Sequence, residues 1–170
     1  MKNKIRKITH VSLCVAILAV LSQLSIPVGA TFLTVQIFAV ALVGYILGAK
    51  DSLLAICVYI LVGAVGVPVF AGFRGGFSVL IGYTGGFIFG FLPICFLCGV
   101  GKNKKLKGLI LGFVGLIFCH LLGALQYMLV SDLDFISSFT LSSLPFILKD
   151  AALVICAFSV GNIINKRLKI

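Results

Sequence analysis

Six apolar stretches, at about residues 8–27, 32–49, 52–68, 78–100, 108–130 and 144–164, take up most of a 170-residue chain. Each approaches the ~20 residues that cross a bilayer core as a helix. Apolar side chains make up 61% of the residues before glycine is counted; soluble domains reach about 45–50% with glycine included. Too little polar surface remains to cover a soluble core of that size. The sequence therefore predicts an all-α integral membrane protein with six transmembrane helices, as one membrane domain over residues 1–170. The stretch "KNKIRKITHVSLCVAILAVL" has signal-peptide character, with Val28-Gly29-Ala30 as a cleavage-like site. It is long enough to cross the membrane and is read as a retained first span.

Charge sets the orientation. Lys2, Lys4, Arg6 and Lys7 precede the first span, and Lys50 lies between spans two and three. Lys102, Lys104, Lys105 and Lys107 separate spans four and five, and Lys166, Arg167 and Lys169 follow span six. With six spans, these twelve of the 14 basic residues fall on one side, which the positive-inside rule makes cytoplasmic, with both termini. The outer side keeps Arg74, Lys149 and the acidic "SDLDF" loop with Asp132 and Asp134. The net charge of +10 is dispersed in short clusters between apolar runs rather than along one face. That placement suits an anionic inner leaflet and argues against nucleic acid.

Several function classes are poorly served. The six cysteines all lie in apolar runs, and Cys95-x-x-Cys98 has no second pair or nearby histidine to complete a zinc set. No phosphate-binding loop, H-E-x-x-H or G-x-S-x-G occurs, and only four carboxylates are present. An enzyme is not expected. A transporter of this length would take its energy from an ion gradient or from another subunit. His120, inside span five, reads either as a proton relay or, more simply, as a packing histidine bonded to a backbone carbonyl.

Asp150 is the sharpest candidate for ligand contact. A helix starting near Leu144 places it ~9 Å into span six, where an ionisable group needs a reason: a ligand, a salt bridge or water. Lys149, about 100° around the helix, is expected to point elsewhere and to snorkel to the outer surface. Gln36, Thr34, Tyr59, Gln126 and Tyr127 cluster toward the same side and suggest a polar pocket opening outward. Between spans three and four, "GVPVFAGFRGGF" combines Pro68 with closely spaced glycines, Gly75 among them, so a continuous helix is not expected. Irregular backbone at membrane depth survives where protein covers it or where it lines a cavity. It reads as a re-entrant outer loop folded over a pocket, with Phe70 and Phe73 capping an apolar ligand, Gly75 and the later Thr84 among the expected ligand contacts, and Arg74 either pairing with a carboxylate or solvated. "GYTGGFIFG", with Tyr83 and Thr84, then opens span four, and Gly82, Gly86 and Gly90 at four-residue spacing offer a small face to a neighbouring helix.

The run from Gln23 to Gly90 resembles the biotin-specific BioY family, substrate-binding S components of energy-coupling-factor vitamin transporters. The resemblance is carried by Pro27, Thr34 and Gln36, by "YILVGAVGVPVFA" from Tyr59 to Ala71, by "TGG" at Thr84–Gly86, and by "LPFILKDAALV" near the C-terminus. It implies six helices, a vitamin site near the outer face and no catalysis. It also implies a membrane coupling subunit and two cytosolic ATPases as partners, with reorientation of the whole S component driven by their ATP hydrolysis. Ser12 and Ala16 fit the family's small-x-x-x-small contact motif on the first helix. Asp150 matches an aspartate of the family, but the lysine often found one turn later is Leu153 here, which leaves Arg74 or backbone N–H groups to meet a ligand carboxylate. Tyr83 departs from the usual proline before the threonine. The cyclic urea of biotin, two N–H donors and a carbonyl, suits Asp150 with an amide such as Gln36 or Gln126. Its apolar bicycle suits Phe70, Phe73 and Tyr83. The competing readings are an S component for another vitamin, a membrane scaffold, and a small membrane enzyme.

Overall fold

The computed structural model describes residues 2–168; Met1, Lys169 and Ile170 lie outside the described residues. The order is α1 (Lys2–Ser22), β1 (Ser25–Val28), β2 (Thr31–Thr34), α2 (Gln36–Leu47), α3 (Ala49–Ala64), α4 (Phe77–Ile81), α5 (Gly85–Val100), α6 (Lys105–Ser131), α7 (Phe135–Ser142) and α8 (Leu144–Leu168). Three of these helices, over Lys4–Ser22, Lys105–Ser131 and Leu144–Arg167, are long and apolar enough to cross a membrane. With α2, α3 and α5 they make six spans.

The spans are less regular than hydropathy suggests. The first stops at Ser22, five residues short of the expected end, and the second begins only at Gln36. Between them β1 and β2 form an antiparallel hairpin, pairing Ser25 with Thr34 and Val28 with Thr31. Gly29, at φ +59°, takes the first position of its two-residue turn, a conformation side chains resist. The third helix ends at Ala64, ahead of Pro68. The fourth apolar run is broken: α4 stops at Ile81, and a turn through Gly82–Thr84 leads into α5. The acidic outer loop carries a short helix, α7, capped by Asp134, whose carboxylate accepts a hydrogen bond from the Ser137 backbone N–H at 3.0 Å.

α2 and α5 are apolar around their whole circumference and form the centre. α5 packs on α2, α3 and α6, and α2 also contacts α8 and α1. The α5–α6 contact depends on glycine. A Cβ at Gly86 would overlap the Leu122 carbonyl, and one at Gly90 would sit 2.7 Å from the Cys119 Cα. Gly82, expected on the same face, is instead the residue that ends α4.

The two ends of the bundle differ. At one, Lys7 pairs with Asp51 at 2.6 Å and Lys102 donates to the Ile46 carbonyl at 2.7 Å. There Tyr45 donates to the Gly108 carbonyl at 3.0 Å, and Asn165 donates to the Tyr45 carbonyl at 2.9 Å. The basic links thus meet at one cross-tied end, as the charge distribution requires. The opposite end holds the hairpin, residues 65–76 and α7. Between them Val40, Ile56, Ile94, Cys95 and Val154 have no exposed surface.

Candidate ligand-binding cavity

Residues 65–76 fold back as expected of a covering loop. Phe70 and Arg74 bridge one another through their backbones, and Gly72, at φ +72°, lets the Phe32 ring lie against the turn. The end of α1 straps this loop down. Ser22 Oγ donates to the Val69 carbonyl, Gln23 Nε2 donates to the Pro68 carbonyl at 3.2 Å, and Gln23 Oε1 accepts from Phe73 N–H at 2.9 Å. Ser25 Oγ accepts from Gly72 N–H at 3.0 Å. Gln36, the first residue of α2, donates to the Tyr59 hydroxyl at 2.7 Å, which in turn donates to the Val69 carbonyl at 2.7 Å.

Beneath the loop lies a cavity with about 650 Å³ of empty space, its mouth included, on the side away from the basic end. Its apolar wall comes from Phe32, Phe70, Phe87, Ile88, Phe91 and Phe146. Its polar groups come from Thr34, Gln36, Arg74, Thr84, His120, Lys149 and Asp150, among others.

Asp150 is 4% exposed, and its Oδ1 accepts from Lys149 Nζ at 2.6 Å. Lys149 also donates to the Thr34 carbonyl at 2.6 Å. The expectation that Lys149 points away from Asp150 is therefore corrected. Its four-carbon stem is long enough to curl back, and a buried carboxylate beside a free strand-end carbonyl attracts the ammonium more strongly than the outer surface does. His120 Nε2 lies 3.4 Å from Asp150 Oδ2 in a contact that makes no hydrogen bond, and neither ring nitrogen has a hydrogen-bond partner. The packing histidine bonded to a carbonyl is thus not what the fold contains.

Arg74 occupies the cavity differently. Its guanidinium donates to the Ala71 carbonyl and the Thr84 hydroxyl, each at 3.3 Å, and stacks over the Phe32 ring at 4.4 Å. No carboxylate lies within salt-bridge distance of it among the described residues. A cation held by its stem and a ring, with donors to spare, is placed to take an anion.

The cavity brings together Asp150, Arg74, Gln36, Phe70 and Thr84 and leaves other expected residues outside. Phe73 is 72% exposed at φ 55° on the outer surface of the loop. Gly75 packs against the Gly66 and Val67 backbone. Tyr83 stacks on Tyr127, ring centroids 5.3 Å apart. Gln126 donates to the Leu80 and Gly82 carbonyls, satisfying the broken helix rather than facing the cavity. The amide suited to a ligand is therefore Gln36. His120, Lys149, Phe87, Phe91 and Ser142 of α7 line the cavity and were not expected there; periodicity alone gave no signal for them.

Residues 1–170 match the model of the BioY family. The chain belongs to the BioY family. It is 38% identical over 147 residues to the probable biotin transporter BioY of Pyrococcus horikoshii, covering 86% of this chain and 88% of the relative. It is 36% identical over 149 residues to the biotin transporter BioY2 of Lactococcus lactis subsp. cremoris, covering 85% and 82%. In fold it is similar to the crystal structure of an S-component for biotin from an ECF-type ABC transporter, with a TM-score of 0.89, 24% identity and coverage of 97% of this chain and 93% of that one. The BioY fold places six spans around an outward cavity, as the hydropathy and charge pattern anticipates.

Proposed function

We propose that this chain, as one domain in the cytoplasmic membrane, binds biotin at its outer side and serves as the substrate-specificity subunit for biotin uptake. The observation that carries the reading is the cavity itself: it holds a buried carboxylate–ammonium pair and an arginine with no acidic partner among the described residues. Biotin has a polar cyclic urea at one end and a carboxylate at the other, joined by an apolar bicycle and tail. Asp150 accepts from the urea N–H edge, Lys149 and Gln36 donate to its carbonyl, Phe70 and Phe91 flank the bicycle, and Arg74 with Thr84 takes the carboxylate. The family and its named biotin transporters support the same reading.

The chain carries no nucleotide-binding motif, so the energy comes from partners: a membrane coupling subunit and two cytosolic ATPases. Ser12 and Ala16 lie one turn apart on the exposed side of α1, whose other side packs through Val11, Cys14 and Leu18. That small, outward face suits close approach of a membrane helix.

Calorimetry on the purified full chain in detergent tests the assignment, with riboflavin and thiamine as controls. Saturable biotin-only binding is expected; folded protein that ignores biotin overturns it. Arg74→Ala is expected to weaken biotin at least about tenfold, the loss of a charged hydrogen bond. The same variant leaves the affinity for biotin methyl ester within about twofold, since the ester offers no anion. Equal losses for both ligands would remove Arg74 from the carboxylate role.

A further inference from the structure

His120 and Ser142 both line the cavity, at 4% and 0% exposure. Neither ring nitrogen of His120 and not the Ser142 hydroxyl oxygen has a hydrogen-bond partner. Buried polar atoms are rarely left so, because each unmade bond carries its desolvation cost. Helix packing offers no account of them. The His120 ring meets Phe87 edge-on, with centroids 5.9 Å apart, and the neighbouring Ser143 uses its hydroxyl on the His120 backbone carbonyl at 3.2 Å.

The tautomer follows from the acid. For a neutral ring, a lone pair on Nε2, 3.4 Å from Asp150 Oδ2, would face a carboxylate oxygen, so the hydrogen is assigned to Nε2. Nδ1 is then an acceptor with nothing to accept. Asp150 already receives Lys149 on Oδ1, which leaves Oδ2, in contact with His120 Nε2 but without a hydrogen bond, to accept from a ligand. The floor of the cavity thus carries two buried acceptors, Asp150 Oδ2 and His120 Nδ1, with the buried Ser142 hydroxyl able to serve either way.

We infer that His120, with Ser142, is a specificity-determining residue for the polar head of the ligand. It takes one N–H of a cyclic urea while Asp150 takes the other. The site thereby selects a ligand with two N–H donors flanking a carbonyl and rejects one in which a donor is blocked or replaced by an acceptor, since a buried acceptor would then stay unpaired. This inference rests on the biotin reading above.

The test compares the parent chain with His120→Leu, His120→Gln and Ser142→Ala, purified in detergent. Each is titrated with biotin, with biotin methyl ester, and with biotin methylated on one or the other ureido nitrogen. His120→Leu is expected to weaken biotin and its ester equally, by at least about tenfold. His120→Gln, whose amide lies near Nε2 and leaves the Nδ1 position without an acceptor, is expected to lose about as much, and Ser142→Ala loses about threefold or more. One of the two N-methyl analogues is rejected by the parent at least about tenfold but costs His120→Leu little beyond its own loss, which a purely structural histidine would not produce. Thermal unfolding of each variant checks that it is folded; if His120→Leu is not, His120→Gln and Ser142→Ala decide. Variants within twofold of the parent, or identical rejection of the N-methyl analogues by parent and His120→Leu, overturn the inference while leaving biotin binding intact. A folded parent that does not bind biotin overturns the assignment on which it rests.

Discussion

Lys149→Met is expected to destabilise the folded chain by about 3 kcal/mol and to weaken biotin at least tenfold. The ammonium sits 2.6 Å from Asp150 Oδ1 and 2.6 Å from the Thr34 carbonyl, so it neutralises a buried charge and ties α8 to the hairpin. Methionine keeps the length and the apolar stem and removes both bonds. Asp150 then keeps only a weak contact with His120. Breaking a buried pair from one side costs about 3–5 kcal/mol, and the lower figure applies because the Lys149 side chain is 26% exposed. Thermal unfolding of the purified chain checks the first effect and calorimetry the second. The double variant Lys149→Met with Asp150→Leu is expected to regain most of the stability, since no charge remains stranded, but not the affinity. Parent-like stability and binding in Lys149→Met would show that the pair does neither job.

Gly86→Leu is expected to abolish the fold. The first side-chain carbon would already overlap the Leu122 carbonyl, part of the α6 backbone. Ordinary overpacking costs about 1–3 kcal/mol because side chains move aside; here a whole helix has to move, taking Gly90 away from Cys119 with it. No monodisperse protein is expected from detergent extracts by size exclusion. Gly82→Ala is the contrast. Its new carbon would come no nearer than 3.1 Å to the Ser78 carbonyl, and the backbone there is extended. It is expected to fold and bind. Two glycines four residues apart in one pattern thus have different work, which only the helix break at Gly82–Thr84 reveals.

That contrast marks what the sequence makes legible. Hydropathy and the lysine clusters carry the six spans and their orientation, because both effects act over whole segments. The hairpin is hidden because Ser25–Val28 and Thr31–Thr34 are only four residues each and run straight into the apolar stretches beside them. Only Gly29 and Pro27 hint at a turn. α7 is hidden by its shortness. Within the cavity, Asp150 and Arg74 stand out as charges in apolar surroundings, and Gln36, Phe70 and Thr84 come with the motif. His120 and Lys149 do not, for a shared reason. Their roles depend on contacts with residues distant in the chain: Asp150 lies 30 positions from His120, and Lys149 reaches Thr34 on a strand that periodicity reads as helix. Phe73, Tyr83 and Gln126 suit a ligand by side-chain type alone. A positive φ and satisfied backbone carbonyls direct Phe73 and Gln126 elsewhere, and Tyr83 is occupied by Tyr127.

The loop over the cavity is held by Gln23 and Ser25 from outside, whereas beyond the cavity the interior around Val40, Ile56 and Val154 is filled. In the isolated chain the way in for a ligand past this loop is also its way out. Arrival and departure cross the same barrier, and a change that alters only the barrier alters both rates by the same factor. Gln23→Ala removes two bonds of the strap and none of the cavity wall. Stopped-flow measurements on this variant are expected to give biotin entering and leaving faster, each about threefold or more, at an unchanged dissociation constant. How tightly the chain holds its cargo and how quickly it exchanges it are then set by different residues, the first at the floor and the second at the end of α1.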